Sequence, residues 1–206
     1  RFGATNEVGV FEMRGEGMVD VENPSAIFLA DHHGRASGSA VVVSMEGTRP
    51  LLVEVQALVS TTAFGTPRYT TTGLDHNRML MLLAVLTKRV GLALGNQDVY
   101  ANVAGGFSLS EPAIDLGVAA AVASSYRERR ISPETVLIGE IGLGGELRAV
   151  TRAETRLREA AKLGFKRCIA PKSGLMLGSE GGSTSGAGIE LVQVGTLAEA
   201  LAVAME

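Results

Sequence analysis

The spacing of apolar residues along the chain changes several times, and each change marks a new element. Residues 6–24, NEVGVFEMRGEGMVDVENP, alternate apolar and polar side chains and stop at Pro24, which predicts a strand or hairpin. SGSAVVVSMEGTRPLLVEVQALVS predicts two strands, 38–46 and 50–59, joined by the tight Glu46-Gly47-Thr48 turn and so antiparallel. TTAFGTPRYTTTGLD is polar, β-branched and marked by Gly and Pro, as in a loop or sheet edge. Asp75 then caps a helix with apolar residues at 79, 80, 82, 83 and 86, with Lys88 and Arg89 in its last turn and Gly91 as its stop.

DVYANVAGG reads as a strand closing on Gly105-Gly106. Pro112 suits the first turn of a helix capped by Ser110 or Glu111, and AIDLGVAAAVASS is small enough for close backbone packing. TVLIGEIGLGGELRAV predicts two strands around a Gly-rich turn. TRAETRLREAAKLGF predicts a helix with Thr151 as N-cap and Glu154 at the capping-box position. KRCIAPKS is a buried strand, and residues 174–190 form a Gly- and Ser-rich surface loop. The chain closes with a strand, Thr196 as a cap and a last helix. The order of elements predicts one α+β domain over residues 1–206. Antiparallel hairpins come first, alternating strands and helices follow, and the helices pack on the early sheet.

Hydrophobic residues make up 46% of the 206, enough for a real core, and no apolar run reaches the length of a membrane span. The first residues lack the apolar segment of a signal peptide, and Arg1 is not an initiator, so an excised cytoplasmic fragment is expected. The lone Cys168 reads as an inert core thiol. Net charge is −3, yet residues 127–172 hold eleven basic against six acidic side chains, a local positive excess. Aromatic residues are 4%, which argues against base stacking as the main mode should nucleic acid bind, and for duplex or backbone contacts without base readout in that case.

Candidate chemistry is sparse. His32 and His33 beside Asp31, with His76 distant in sequence, do not have the spacing of a metal site. None of the glycine-rich stretches ends in the Gly-Lys-Ser/Thr form that cradles phosphates, so no NTP site is expected. A Ser/Lys peptidase needs a serine at a helix start and a lysine within hydrogen-bond reach. The chain has only Lys88, Lys162, Lys166 and Lys172, none in the first turn after GELRAVT. A displaced Ser108 or Ser110 with Lys162 as base is the remaining peptidase arrangement.

The stretch GEIGLGGELRAVTRAETRLREAAKLGFKRCIAP resembles the proteolytic domain of Lon. That resemblance places the nucleophile on Ala113 or Asp115, depending on whether Pro112 or Gly117 is aligned, and the catalytic lysine on Glu154. Neither catalytic identity is present. The opening Arg1-Phe2-Gly3, then GVFEM, SAIFL, FGTPRYTTTGLDHNRMLMLLAVLTKRVGL and EPAIDL, are more closely similar to the Lon-like domain of the RadA (Sms) family of bacterial DNA-repair proteins. Arg1, Phe2 and Gly3 match the end of that family's linker motif.

The resemblance implies a fold like the second domain of the fifth small-subunit ribosomal protein. It also implies no peptidase activity, a homo-hexameric ring and a contribution to DNA binding. The full-length family protein would add a zinc finger, with Zn, and a RecA-like ATPase, with ATP and Mg, acting in branch migration or unwinding. A recombinase is a possible partner through those parts, and no membrane is involved. For DNA contacts the candidates are Arg68, Lys88, Arg89, Arg127, Arg129, Arg130, Arg148, Arg152, Arg156, Lys162, Lys166 and Arg167, with Arg152 and Arg156 expected one turn apart on one helix face. The alternative is a structural ring-former whose basic residues pair internally.

Overall fold

The computed structural model describes residues 11–15, 17–21, 25, 29, 36–63, 65–173 and 188–205. Arg1, Phe2, Gly3, the His32–His33 pair and residues 174–187 of the predicted Gly/Ser loop lie outside them.

A seven-stranded sheet carries the chain. The early hairpin strands, β3 (Ser39–Glu46) and β4 (Arg49–Thr61), pair antiparallel with Val42 opposite Val53, as the Glu46-Gly47 turn predicts. β6 (Gln97–Val103) adds antiparallel to β4, and β5 (Tyr69–Thr72) lies parallel to β6 at one edge. On the other side of β3 come β7 (Thr135–Leu137), β10 (Arg167–Pro171) and β11 (Glu190–Val194), all parallel. The spatial order is β11-β10-β7-β3-β4-β6-β5. β1 (Phe11–Arg14) and β2 (Gly17–Asp20) form a separate antiparallel hairpin, and β8 (Glu140–Ile141) and β9 (Leu147–Arg148) form another.

The strand alternation builds two cores. Ala40, Val42, Val53, Val55 and Leu137 face α1 (His76–Val85), α2 (Asp115–Arg127) and α4 (Leu197–Ala204). Val41, Val43, Leu52, Val136 and Cys168 face the opposite way, against Leu157 and Ala160 of α3 (Ala153–Lys162). The α+β class of a Lon-proteolytic-like domain is present: α2 and α3 pack on the early β3–β4 hairpin, which the later strands extend into one mixed sheet with helices on both faces. Burial pushes the Cys168 thiol up to about 12, which keeps it in its protonated, unreactive form.

Three local expectations change. TVLIGEIGLGGELRAV makes three strands, β7, β8 and β9, because the Gly139 peptide is taken by α2. The Gly139 N–H donates to the Ala113 carbonyl at 2.8 Å, and the Leu116 N–H donates to the Gly139 carbonyl at 3.0 Å. That exchange ends β7 and turns the chain out into the β8–β9 hairpin. Thr151 does not cap α3. The residue before the helix is Arg152, in the left-handed region at φ 53°, and no side chain caps it. The Thr151 carbonyl accepts instead from Arg156 Nε at 3.0 Å, so pairing of Arg156 prevails over the capping box. The predicted helix 76–90 widens at its end: Leu86–Val90 form a π turn closed by Gly91 at φ 79°.

The Asp75 and Thr196 caps form as expected, accepting from the Arg78 and Glu199 amides. Among the described residues no helix is long and apolar enough to cross a membrane.

α2 sits close on the sheet because its inner face is Ala and Gly. A Cβ at Gly117 would lie 2.0 Å from Val42 Cγ1. Gly117→Ala is therefore expected to cost about 1–3 kcal/mol by overpacking, and less in a Val42→Ala background. Urea unfolding of the two singles and the double variant measures that coupling.

Candidate functional site

The turn that leads into α2 carries two acids four residues apart, Glu111 and Asp115, on either side of the short 3-10 turn Pro112–Ile114. Each is matched by an arginine from a different helix layer. Asp115 is 1% exposed and accepts from Arg78 of α1, with Arg78 Nε at 2.9 Å from Oδ1 and Nη2 on Oδ2. It also accepts the Ile141 N–H of β8 at 3.0 Å. Burial pushes the Asp115 carboxyl above the ordinary aspartate range, against the opposing pull of Arg78 and the Ile141 amide. The hydrogen bond to Asp115 holds the Arg78 guanidinium more firmly protonated than usual.

Glu111 is bound by Arg156 of α3, whose side chain is fully buried. Arg156 Nη1 reaches Glu111 Oε2 at 2.9 Å and the Val43 carbonyl at 2.5 Å. Glu111 Oε2 also accepts the Met45 N–H at 2.8 Å. All these donors and acceptors are matched within the fold, which is what makes burial of the charges tolerable.

The position where the Lon resemblance puts a serine is therefore a buried ion pair. Ala113, the other alignment, is 3% exposed. Glu154 is on the outside of α3, paired with Arg158. The structure does not bring Asp115 and Glu154 together: their partners are separate sets. Lys162 is paired with Glu159 at 3.5 Å, and no contact with Ser108 or Ser110 is formed. Asp115 acts as an ion-pair partner and amide acceptor. Sequence reasoning missed Arg78 and treated Glu111 only as a cap. Their partners lie 37 and 45 residues away, beyond any local pattern.

A cavity of about 260 Å³ opens beside the pair, walled by Leu74, Met79, Leu82, Leu109 and Ile114 with Asp75, Arg78, Glu111 and Asp115 at its polar side. A second, of about 340 Å³, lies between α1 and the β8–β9 hairpin.

The basic candidates divide. Arg156 is a core residue, so the expected shared face with Arg152 does not exist; Arg152 precedes the helix and donates to the Gly47 carbonyl at 2.8 Å. Arg148 is held by Glu146 at 2.7 Å and Glu140 at 3.7 Å, and Arg167 by Glu190 at 3.5 Å and the Val203 carbonyl. Arg89 donates to the Leu143 carbonyl at 3.3 Å and Arg129 to the Met205 carbonyl at 3.4 Å. Arg68 is exposed at the start of β5, its own amide bound by Asp98. Lys88, Arg127, Arg130 and Lys166 are exposed, with no side-chain partner among the described residues. The parallel pairing puts residues 127–134, 166–167 and Met205 at one end of the sheet, where Lys166 N–H donates to the Glu134 carbonyl and Ile131 bridges Met205.

A family model described as subunit ChlI of Mg-chelatase matches residues 65–174. Over its whole length the chain is 56% identical to "DNA repair protein RadA" of Halalkalibacterium halodurans, covering 44% of that protein. It is 55% identical over 98% of its length to the Bacillus subtilis (strain 168) protein of the same name, and 56% identical over 98% to that of Streptococcus pyogenes serotype M3, covering 43% of each. The chain thus spans less than half the length of the curated relatives it matches.

The two halves of the Arg78–Asp115 pair are unequal in burial, and so are the expected costs of losing them. Arg78→Ala leaves a buried carboxylate alone and is expected to destabilise by about 3–5 kcal/mol. Asp115→Ala costs less, because Arg78 is 31% exposed and its guanidinium can turn to water. Urea midpoints rank the two. The double variant D115S/E154K restores both dyad identities and is expected to hydrolyse no fluorogenic casein, because residue 154 points away from the turn.

Proposed function

Since the chain belongs to the family described by the ChlI-subunit model and corresponds to the C-terminal region of DNA repair protein RadA, we propose that it is a non-proteolytic, Lon-like module that assembles as a hexameric ring and adds DNA-backbone contacts to an ATP-dependent repair and recombination protein. The observation that carries the reading is the Arg78–Asp115 pair where a serine nucleophile would stand. A serine needs a base at hydrogen-bond distance; this position has a guanidinium that cannot give up its proton. The ATPase, with its ATP and Mg, and the zinc finger belong in this reading to the remainder of the longer relatives. So do branch migration, unwinding and any recombinase partner, in the bacterial cytoplasm.

The unpaired cations support sequence-independent contact with phosphates. Arg127, Arg130 and Lys166 gather at the end of the sheet where α2 finishes and β10 begins. A second reading, a ring scaffold without DNA contacts, draws on the internal pairing of Arg148, Arg156, Arg158, Lys162 and Arg167.

A salt series separates the two. Duplex binding is expected to weaken steeply as salt rises, with a log–log slope of roughly −0.9 per phosphate contact. The R127E/R130E/K166E variant is expected to bind about tenfold or more weakly at ~100 mM salt and to lower the slope by roughly 2–3. R158E, whose charge is already taken by Glu154, serves as the control. Light scattering on the same samples gives the ring mass. A hexamer that binds no duplex at any salt concentration is the scaffold.

A further inference from the structure

The β1–β2 hairpin takes no part in the reading above, and it stands apart from the seven-stranded sheet: among the described residues, β1 and β2 pair only with each other. A lone two-stranded hairpin is marginal in water and needs something packed against its apolar face. The register sets that face. Met13 lies directly opposite Met18, and Phe11, two residues before Met13, shares its side. Phe11, Met13 and Met18 are 55%, 75% and 67% exposed. Three large apolar side chains together on one exposed face mark a contact surface.

The hairpin leads to a stretch of sheet that is also uncovered. After β2 the chain meets the sheet at Ser25, whose hydroxyl accepts the Leu52 N–H at 3.0 Å, and at Leu29, which packs against the core of Val41, Val43 and Leu52. That core lies on the face covered by α3. Beyond it the same face runs on across β4, β6 and β5. Gln56 and Leu58 of β4, Tyr100 and Asn102 of β6, and Thr70 and Thr72 of β5 are all exposed there, opposite one another in register. None of the six carries a charge, in a chain of which 20% of residues do. The centre of a protein interface is depleted of charge in this way.

The occupant follows from the chain's connections. The chain corresponds to the C-terminal region of relatives of which it covers 44% and 43%, so more than half of their length precedes the part that matches Arg1. Phe11 stands ten residues after Arg1, a reach of at most about 36 Å. A tether that short gives whatever is joined to Arg1 a roughly millimolar effective concentration at the hairpin, well above that of a separate partner.

We propose that the β1–β2 hairpin and the bare β4–β6–β5 face together dock the part of the longer protein that precedes Arg1, with Phe11, Met13 and Met18 in one contact and Leu58 and Tyr100 at the centre of the other. The inference rests on the reading of this chain as the C-terminal module of a longer repair protein, and it does not depend on how the module meets DNA.

Two exposed aromatic positions carry the test in the full-length protein. Phe11→p-benzoylphenylalanine and Tyr100→p-benzoylphenylalanine each keep an aromatic ring in place, and ultraviolet light bonds that ring to whatever lies against it. Both are expected to cross-link to peptides that precede Arg1, located by mass spectrometry. Peroxide gives an independent reading, because an exposed methionine is readily oxidised. Met13 and Met18 are expected to oxidise at least about fivefold more slowly in the full-length protein than in residues 1–206 alone.

Cross-links to peptides within residues 1–206 of a second copy assign the surface to a contact between copies and overturn the proposal. A cross-link to the preceding part from only one of the two positions overturns the joint docking of hairpin and sheet. Equal oxidation rates, or no cross-link at all, overturn it as well. Light scattering on the same full-length samples reports the ring separately: a hexamer with a readily oxidised hairpin removes the docking and leaves the ring, and both cross-links on a protein that forms no ring do the reverse. Phe11 and Tyr100 are exposed, and far-UV circular dichroism checks that both variants fold.

Discussion

Everything in the layout passes through one turn in which two carboxylates, Glu111 and Asp115, must be neutralised inside the protein. Glu111 takes its arginine from α3, on one face of the sheet, and Asp115 takes its own from α1, on the other. The turn between them is thus a clasp between the two helical layers. The same residues reach the strands: Glu111 binds the Met45 amide at the end of β3, Arg156 binds the Val43 carbonyl, and Asp115 binds the Ile141 amide of β8. An unpaired buried charge costs several kcal/mol, so neither ion pair can open without moving a neighbouring element.

The clasp depends on how closely α2 approaches β3. Gly117 lets Val42 into the space a Cβ would fill, and the run from Ala119 to Ala123 keeps the rest of that face thin. With the helix drawn in, its first turn lies below the surface, and the Gly139 peptide bonds to Ala113 and Leu116. That bond pair is why the chain leaves the sheet after β7 and why the β8–β9 hairpin projects over α1. Backbone approach, ion pairing and hairpin placement are therefore one coupled arrangement. The hairpin's exposed leucine follows from the same geometry that buries Asp115.

How much of this was legible beforehand follows the range of each interaction. The β3–β4 hairpin, the Asp75 and Thr196 caps, the Gly91 stop and the buried β10 were readable because each is set within a few residues. The resemblance to a Lon-like domain of RadA proteins was readable from quoted stretches, and the identity to those relatives agrees with it. What failed was long-range. Thr151 had the local form of a capping residue, but Arg156 recruited its carbonyl for a pair with a residue 45 positions earlier. Arg156 itself looked like a surface cation one turn from Arg152; it is the largest fully buried side chain among the described residues. Two equal helix-surface arginines in the sequence became a core residue and a left-handed entry residue.

That divergence bears on reading charge from composition. The stretch 127–172 looks like a basic patch when its side chains are counted. Once each cation is placed, six of the eleven are already held by acids: Arg156 by Glu111 in the core, Arg148 by two glutamates, Arg158 and Lys162 by acids on their own helix, Arg167 by Glu190 and Lys172 by Glu199. A cation held by a carboxylate must give up that partner before it can gain a phosphate, so it contributes little net attraction. The charge available to a polyanion is set by those without such partners, among which Lys88, Arg127, Arg130 and Lys166 stand at the surface. Three of them, Arg127, Arg130 and Lys166, belong to the end of the sheet where α2 finishes and β10 begins, and Lys88 to the last turn before Gly91. The count over residues 127–172 therefore overstates the attraction that stretch offers a polyanion, and the placement of the uncommitted cations, not their number in the sequence, decides where such attraction lies.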